Sequence, residues 1–339
     1  MSITSPVLTN TPQFNQPGRT GGFQEVWYLK FNHPETTRAL WLRFTVLIRN
    51  DKSKEIAEVW AIFFESNEGA TRKVGIKNTW PITAFENVGS AGLRIQDNCL
   101  MDDRTEGHIK NDDHQLHWSF SFSPIRNLHF DFVPAILPRL KLVKNTAVNV
   151  HEHLAYTGWC ELDGARYEWA NAPGMQGHLT GPRNGHSWAW GHCNCFTDEC
   201  GAPAPVIWDG LSARAPLGKG ATPPLTSMFF RIDNETYNVN TLCDVLCARS
   251  QYDFSSFRFR IRKKGVLFEG AVKARLGDYA GVTYEDTDGS HLYCHNSKIS
   301  DMTLVVTNPG GKKAVYTADH AAAYEVVARK AHPDIPLLI

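Results

Sequence analysis

The sequence predicts an all-β protein built as two tandem antiparallel β-barrel domains, and three observations carry that expectation. Aromatic residues are plentiful: 10 Trp, 18 Phe and 10 Tyr stand beside 26 Gly and 18 Pro in 339 residues. Aromatic side chains suit a pleated, half-buried surface, whereas Gly and Pro break elements and build turns. Period-two alternation recurs from one end of the chain to the other, punctuated by Asp163-Gly164, Asn184-Gly185 and Asp288-Gly289. Many short strands so punctuated indicate a sandwich or barrel rather than alternating βαβ units.

Taken in order, residues 1–20 are polar and carry Pro6, Pro12 and Pro17. They lack the charged start and apolar middle of a signal peptide and read as a disordered leader. A strand over 23–31 places Glu25, Trp27, Leu29 and Phe31 on one face. Next, Trp41, Arg43, Thr45 and Leu47 alternate with Leu42, Phe44, Val46 and Ile48. Val59, Ala61 and Phe63 then alternate with Trp60, Ile62 and Phe64, and further runs fall at 116–122, 128–133, 187–196, 228–232, 257–261 and 302–306. Helical pattern is scarce. A short helix is predicted within 241–250 and a C-terminal one over 319–330 (DHAAAYEVVARK), with Asp319 as its cap and Arg329 and Lys330 at its end. The Pro-rich stretch 201–205 is the expected division, giving a first domain over 21–202 and a second over 203–339.

Lys+Arg and Asp+Glu are each 35, so the net charge is zero, which argues against a nucleic-acid partner. No apolar run approaches the roughly 18 residues that span a bilayer. Eight Cys without an export signal read as reduced and packed, which points to the cytoplasm. Peripheral contact with a membrane and the oligomeric state stay open at this level.

The stretch 186–196 (HSWAWGHCNCF) is the most informative. As a strand it puts His186, Trp188, Trp190, His192, Asn194 and Phe196 on one face and small residues on the other. Two Trp, two His and an Asn are costly as plain core, because each polar group needs a buried partner. As a pocket lining they make sense: rings hold an apolar ligand and polar groups orient it. A packed core whose His side chains bond to backbone is the alternative. Glu25, sharing a face with three apolar residues, is either a desolvated proton donor or the structural partner of an arginine such as Arg43. The metal-type residues His192, Cys193, Cys195 and Cys200 lack a paired CxxC, and His192 and Cys193 point to opposite faces, so no metal is expected.

At these residues the chain resembles the lipocalin-like superfamily of carotenoid 1,2-hydratases of the hydroxyneurosporene synthase type. Tocopherol cyclases and lipocalin-like Diels–Alderases are more distant relatives in form. The resemblance rests on the opening Glu25-Val26-Trp27-Tyr28 strand and on 158–164 (GWCELDG) leading to Gly177-His178 and Gly181. It also rests on 188–192 (WAWGH) with Asn194, and on 209–214 (DGLSAR) continuing to 225–231 (LTSMFFR). It implies tandem lipocalin-like barrels and chemistry on hydrophobic polyenes or isoprenoids without a metal or redox cofactor. On that basis Glu25 is the expected acid, with His192 or His186 as relay. Trp27, Trp188 and Trp190 would face a substrate cation, Asn194 would orient the substrate, and Phe196 and Arg43 would complete the binding set. Acid-initiated cyclisation is preferred to hydration. A pericyclic variant, a non-catalytic lipophile carrier and a structural or stress-response partner are the rival expectations.

Overall fold

The computed structural model describes residues 10–15, 20–67, 69–89, 92–124, 128–140, 143–218 and 220–339. Two large antiparallel sheets curl round their own cores. In the first, Phe23–Asn32 lies between Arg38–Ile48 and Ala165–Gly181. The order continues outward through Glu55–Asn67 and Ala70–Pro81 on one side, and through Thr146–Leu162 and Gln115–Pro124 on the other. The second sheet repeats this plan. Its first strand, Ser187–Cys193, lies between Val206–Arg214 and the last strand, Lys313–Ala328, which in turn pairs with His291–Thr307.

Alternation along the strands sorts side chains into separate cores. Trp27, Leu29 and Phe31 meet Leu42, Phe44, Val59 and Phe63 inside the first barrel. Trp208, Phe230, Phe257, Phe268 and Tyr324 fill the second. The opposite faces of the same strands are apolar too, because the barrels pack against each other. Trp41, Trp60, Ile62 and Phe64 meet Val282, Leu292, Cys294 and Val327 in one seam. Val26, Tyr28, Phe130, Phe132 and Met175 meet Trp190, Ile207 and Phe229 in the other. Strands buried on both faces lose their polar stripe, which explains the near-continuous apolar runs at 39–48 and 57–64.

Three expectations change. Residues 319–330 form no helix; they lie in and just beyond the strand Lys313–Ala328, and Asp319 caps nothing. There Ala322, Tyr324 and Val326 face the second core while Ala323 and Val327 face the seams. Apolar residues at every position hide the period, and hydrogen bonding to two neighbouring strands outweighs the helix propensity of alanine. The division at 201–205 falls inside the second sheet, in the connection between Ser187–Cys193 and Val206–Arg214, whereas the sheets change between Gly181 and Ser187. Of the leader, 1–9 and 16–19 lie outside the described residues, but 10–15 is tied down. The Trp27 indole N–H donates to the Asn10 carbonyl at 3.1 Å, and the Phe14 ring meets Phe85 edge-on at 4.7 Å.

Candidate active site

The predicted residues separate into two places. Glu25 and Trp27 point into the first barrel. There the Glu25 carboxylate accepts the backbone N–H of Gln13 at 2.9 Å and of Phe14 at 2.8 Å. Its Oε1 lies 2.8 Å from His178 Nε2, and the His178 ring stacks on Trp27 at 4.9 Å. Glu25 does not pair with Arg43, whose register partner is Tyr28 on the opposite face of the sheet. Both Glu25 oxygens accept hydrogen bonds, and neither of the two described openings reaches it.

His192, Trp190, Trp188 and Asn194 lie on the outer face of the second barrel, against the first. Phe196 turns inward to the second core. His186 precedes the strand, six residues and roughly 20 Å of extended chain from His192; its Nδ1 meets Ser187 Oγ at 3.2 Å. Asn194 donates to the Gly174 carbonyl at 2.9 Å, which fastens the two barrels together.

The chemistry gathers around two carboxyls that the sequence reading did not single out as site residues. Asp209 is the cross-strand partner of His192. Glu152 comes from the first barrel, where register shifts on either side of His151 break the alternation. Strict period two would aim residue 152 inward with Val148 and Leu154; the bulge turns it out toward Asn149 and the second barrel. All three groups are 0 % exposed. Asp209 Oδ1 accepts the Trp190 indole N–H at 3.0 Å, and its Oδ2 accepts an amide N–H from Asn149. Asn149 Nδ2 also lies 3.3 Å from Glu152 Oε1, while its Oδ1 accepts the Tyr28 hydroxyl at 2.9 Å. His192 Nε2 donates to the Glu152 carbonyl at 3.1 Å and lies 3.6 Å from Glu152 Oε2.

Burial drives the electrostatics. It pushes Glu152 up to about 8, although hydrogen bonds to Asp209 and Asn149 pull the other way. Asp209 is held well above the usual carboxylate range by burial first and by the Glu152 charge second. His192 is held well below its ordinary value by burial and by the nearby Lys30 ammonium. Burial therefore favours the protonated form within the carboxyl pair and the neutral form of the imidazole beside it. Among the described residues Glu152 Oε2 and His192 Nδ1 have no hydrogen-bond partner, although neither described opening reaches them. Donor atoms of Glu152, His192 and Asp209 lie within 4.8 Å of one another, the spacing of a cation site. Both Asp209 oxygens already accept N–H groups, so a proton shared with Glu152 satisfies the set.

A second buried polar group flanks the first. Lys298 donates to Glu325 at 2.7 Å, and its ammonium sits 5.0 Å over the Trp190 ring. A segment of the first barrel covers the seam: Phe130 and Phe132 pack into it, Ser227 Oγ donates to the Phe132 carbonyl at 2.6 Å, and Asn240 donates to that of Asp131 at 2.8 Å.

The chain matches no protein-family model and no curated protein sequence. Among solved structures it is similar to a Nitrosomonas europaea protein assigned as an AttH, with TM-score 0.52 and 10% identity, covering 95% of this chain and 98% of that one. CghA, solved with Sch210972, gives TM-score 0.55 and 8% identity over 91% of this chain and 88% of the other. Kievitone hydratase from Nectria haematococca gives TM-score 0.51 and 8% identity over 96% and 93%. The likeness establishes the fold: two lipocalin-like antiparallel sheet domains in tandem, as the residue motifs anticipated.

Proposed function

We propose that the protein is a cofactor-independent enzyme that protonates an unsaturated, hydrophobic small molecule, with the Glu152–Asp209 pair as the acid. The observation that carries this reading is a pair of fully buried carboxyls that burial pushes toward their protonated form, with one oxygen that has no hydrogen-bond partner among the described residues, beside His192. Such a pair keeps a transferable proton where an exposed carboxyl would have lost it. The carboxyl O–H gives its proton to one carbon of an alkene, leaving a carbocation and a carboxylate. Trp190 and Tyr28 supply ring faces to the cation. In cyclisation a second double bond attacks the cation, and loss of a neighbouring C–H proton to the carboxylate restores the acid. His192 Nδ1 accepts from and orients the reacting group. The substrate reaches the pair by displacing the cover at Phe130 and Phe132.

Hydration is the second reading, favoured by the likeness to kievitone hydratase; there a water attacks the cation and returns its proton to the carboxylate. Support for either is structural likeness plus the chemistry of the pair, since a fold by itself hosts many activities. Incubation with a panel of polyenes and isoprenoids in D₂O tests the proposal. Deuterium should appear on carbon in a product that is either isomeric or larger by one water. Asp209→Asn should lower turnover by about 10²–10⁴-fold. Product free of carbon-bound deuterium, or full turnover by Asp209→Asn, would overturn the assignment.

A further inference from the structure

Arg43 sits between the barrels, 8 % exposed, in a cavity of about 100 Å³. Its guanidinium lies 4.9 Å from the Trp60 ring and 4.1 Å from the Tyr284 ring, in the corner where these two rings, one from each barrel, meet edge-on with centroids 5.9 Å apart. Nε–H donates to Thr45 Oγ1 at 2.8 Å, and among the described residues the group forms no ion pair. Buried charges are ordinarily paired, because the desolvated ion has lost its water without replacement. The carboxylates on the cavity wall are already engaged. Glu58 accepts the Trp60 indole N–H at 3.2 Å and the Thr79 hydroxyl at 2.9 Å. Glu285 accepts Arg49 at 2.6 Å and Lys54 at 2.5 Å. Lys77 adds a further cation 4.6 Å from the Trp60 ring. Among the residues lining the cavity, Arg43, Lys54 and Lys77 stand against Glu58 and Glu285; Lys54 pairs with Glu285 and Lys77 lies 3.9 Å from Glu58, which leaves Arg43 as the surplus cation.

We propose that this cavity is a carboxylate-binding site in which the Arg43 guanidinium edge takes both oxygens of a ligand's acid group. A planar guanidinium backed by aromatic rings, its Nε–H engaged by Thr45, offers its terminal N–H groups in one plane, the geometry that matches a carboxylate. The site deepens the proposed function and rests on that reading only for the ligand's identity as substrate. Arg43 is directly opposite Tyr28 in the strand register, and the Tyr28 hydroxyl reaches Asp209 through Asn149. Tyr28 and Asn149 thus separate an acid group held at Arg43 from the carboxyl pair.

Isothermal titration of the full chain with sodium butanoate, butyramide and inorganic phosphate tests the site without requiring turnover. Butanoate should bind saturably and butyramide should not. Arg43→Lys should weaken binding by about 10-fold or more, as loss of one charge-assisted bond implies; Arg43→Met, of similar length, should abolish it. Equal binding of butanoate and butyramide by the unaltered protein, undiminished binding by Arg43→Met, or tighter binding of phosphate than of butanoate would each overturn the assignment. Because butanoate binding is read directly, its failure leaves the deuterium test of Asp209 untouched, and the converse holds.

Discussion

Replacing Glu152 by glutamine separates the electrostatic account of the pair from a purely steric one. Burial carries the Glu152 carboxyl from an ordinary value of 4.5 to about 8. The folded protein therefore holds a proton that the unfolded chain releases between those values. Stability falls with rising pH wherever the native state binds more protons, so this residue costs nothing below about pH 4 and its full amount above about pH 8. At about 1.4 kcal/mol per unit, the span is worth on the order of 5 kcal/mol, a ceiling because a buried pair relaxes and admits water. For a large chain that corresponds to a Tm difference of at most about 10 °C. The groups facing Glu152 are Asp209, Asn149 and His192, and a glutamine amide oxygen can still accept from Asp209 without carrying a charge. The unaltered protein and Glu152→Gln should thus melt within a few degrees of each other near pH 5. The variant should gain steadily on the parent up to pH 8, followed by circular dichroism. A gap that stays constant across that range, or closes, would refute the claim that Glu152 is protonated in the fold.

Further outcomes follow from other buried groups. Glu25→Ala should release the 10–15 segment, because its carboxylate holds the Gln13 and Phe14 backbone N–H groups; limited proteolysis should cut near that segment faster, with the barrels still folded. Lys298→Met leaves Glu325 without its cation and should cost roughly 3–5 kcal/mol in denaturant unfolding, whereas the double change with Glu325→Leu should recover most of that loss. Gly158→Ala should destabilise by more than about 1 kcal/mol, since φ there is +151° and a methyl group would strike the Ser119 backbone; a neutral result would mean the strand shifts freely at that bulge.

Much of the architecture was readable because the alternation is strong. Trp27, Leu29 and Phe31 share a face in the fold as their spacing requires, and Trp188, Trp190 and His192 share another. Turn dipeptides marked real hairpins at Asp163-Gly164 and Asp288-Gly289. The C-terminal strand was not readable, since burial on both faces removes the polar residues that reveal a period. His178 and Asp209 stood within stretches that carried the family likeness, so a signal for them existed. Glu152 offered none: its direction depends on a bulge that no alternation pattern records.

Local chemistry in the chain was enough to define strands, inward and outward faces, and the pairing of aromatic walls with a few ionisable groups. Which wall meets which is a different matter. Glu25 and His192 lie 167 positions apart, and nothing along the chain says that one ends inside the first barrel while the other faces a neighbouring domain. Packing of the two sheets decided that, by removing water from Glu152, Asp209 and Arg43 together. Burial raises the carboxyl pKa values, and among the described residues leaves Arg43 without an ion pair, only through surroundings contributed by distant strands.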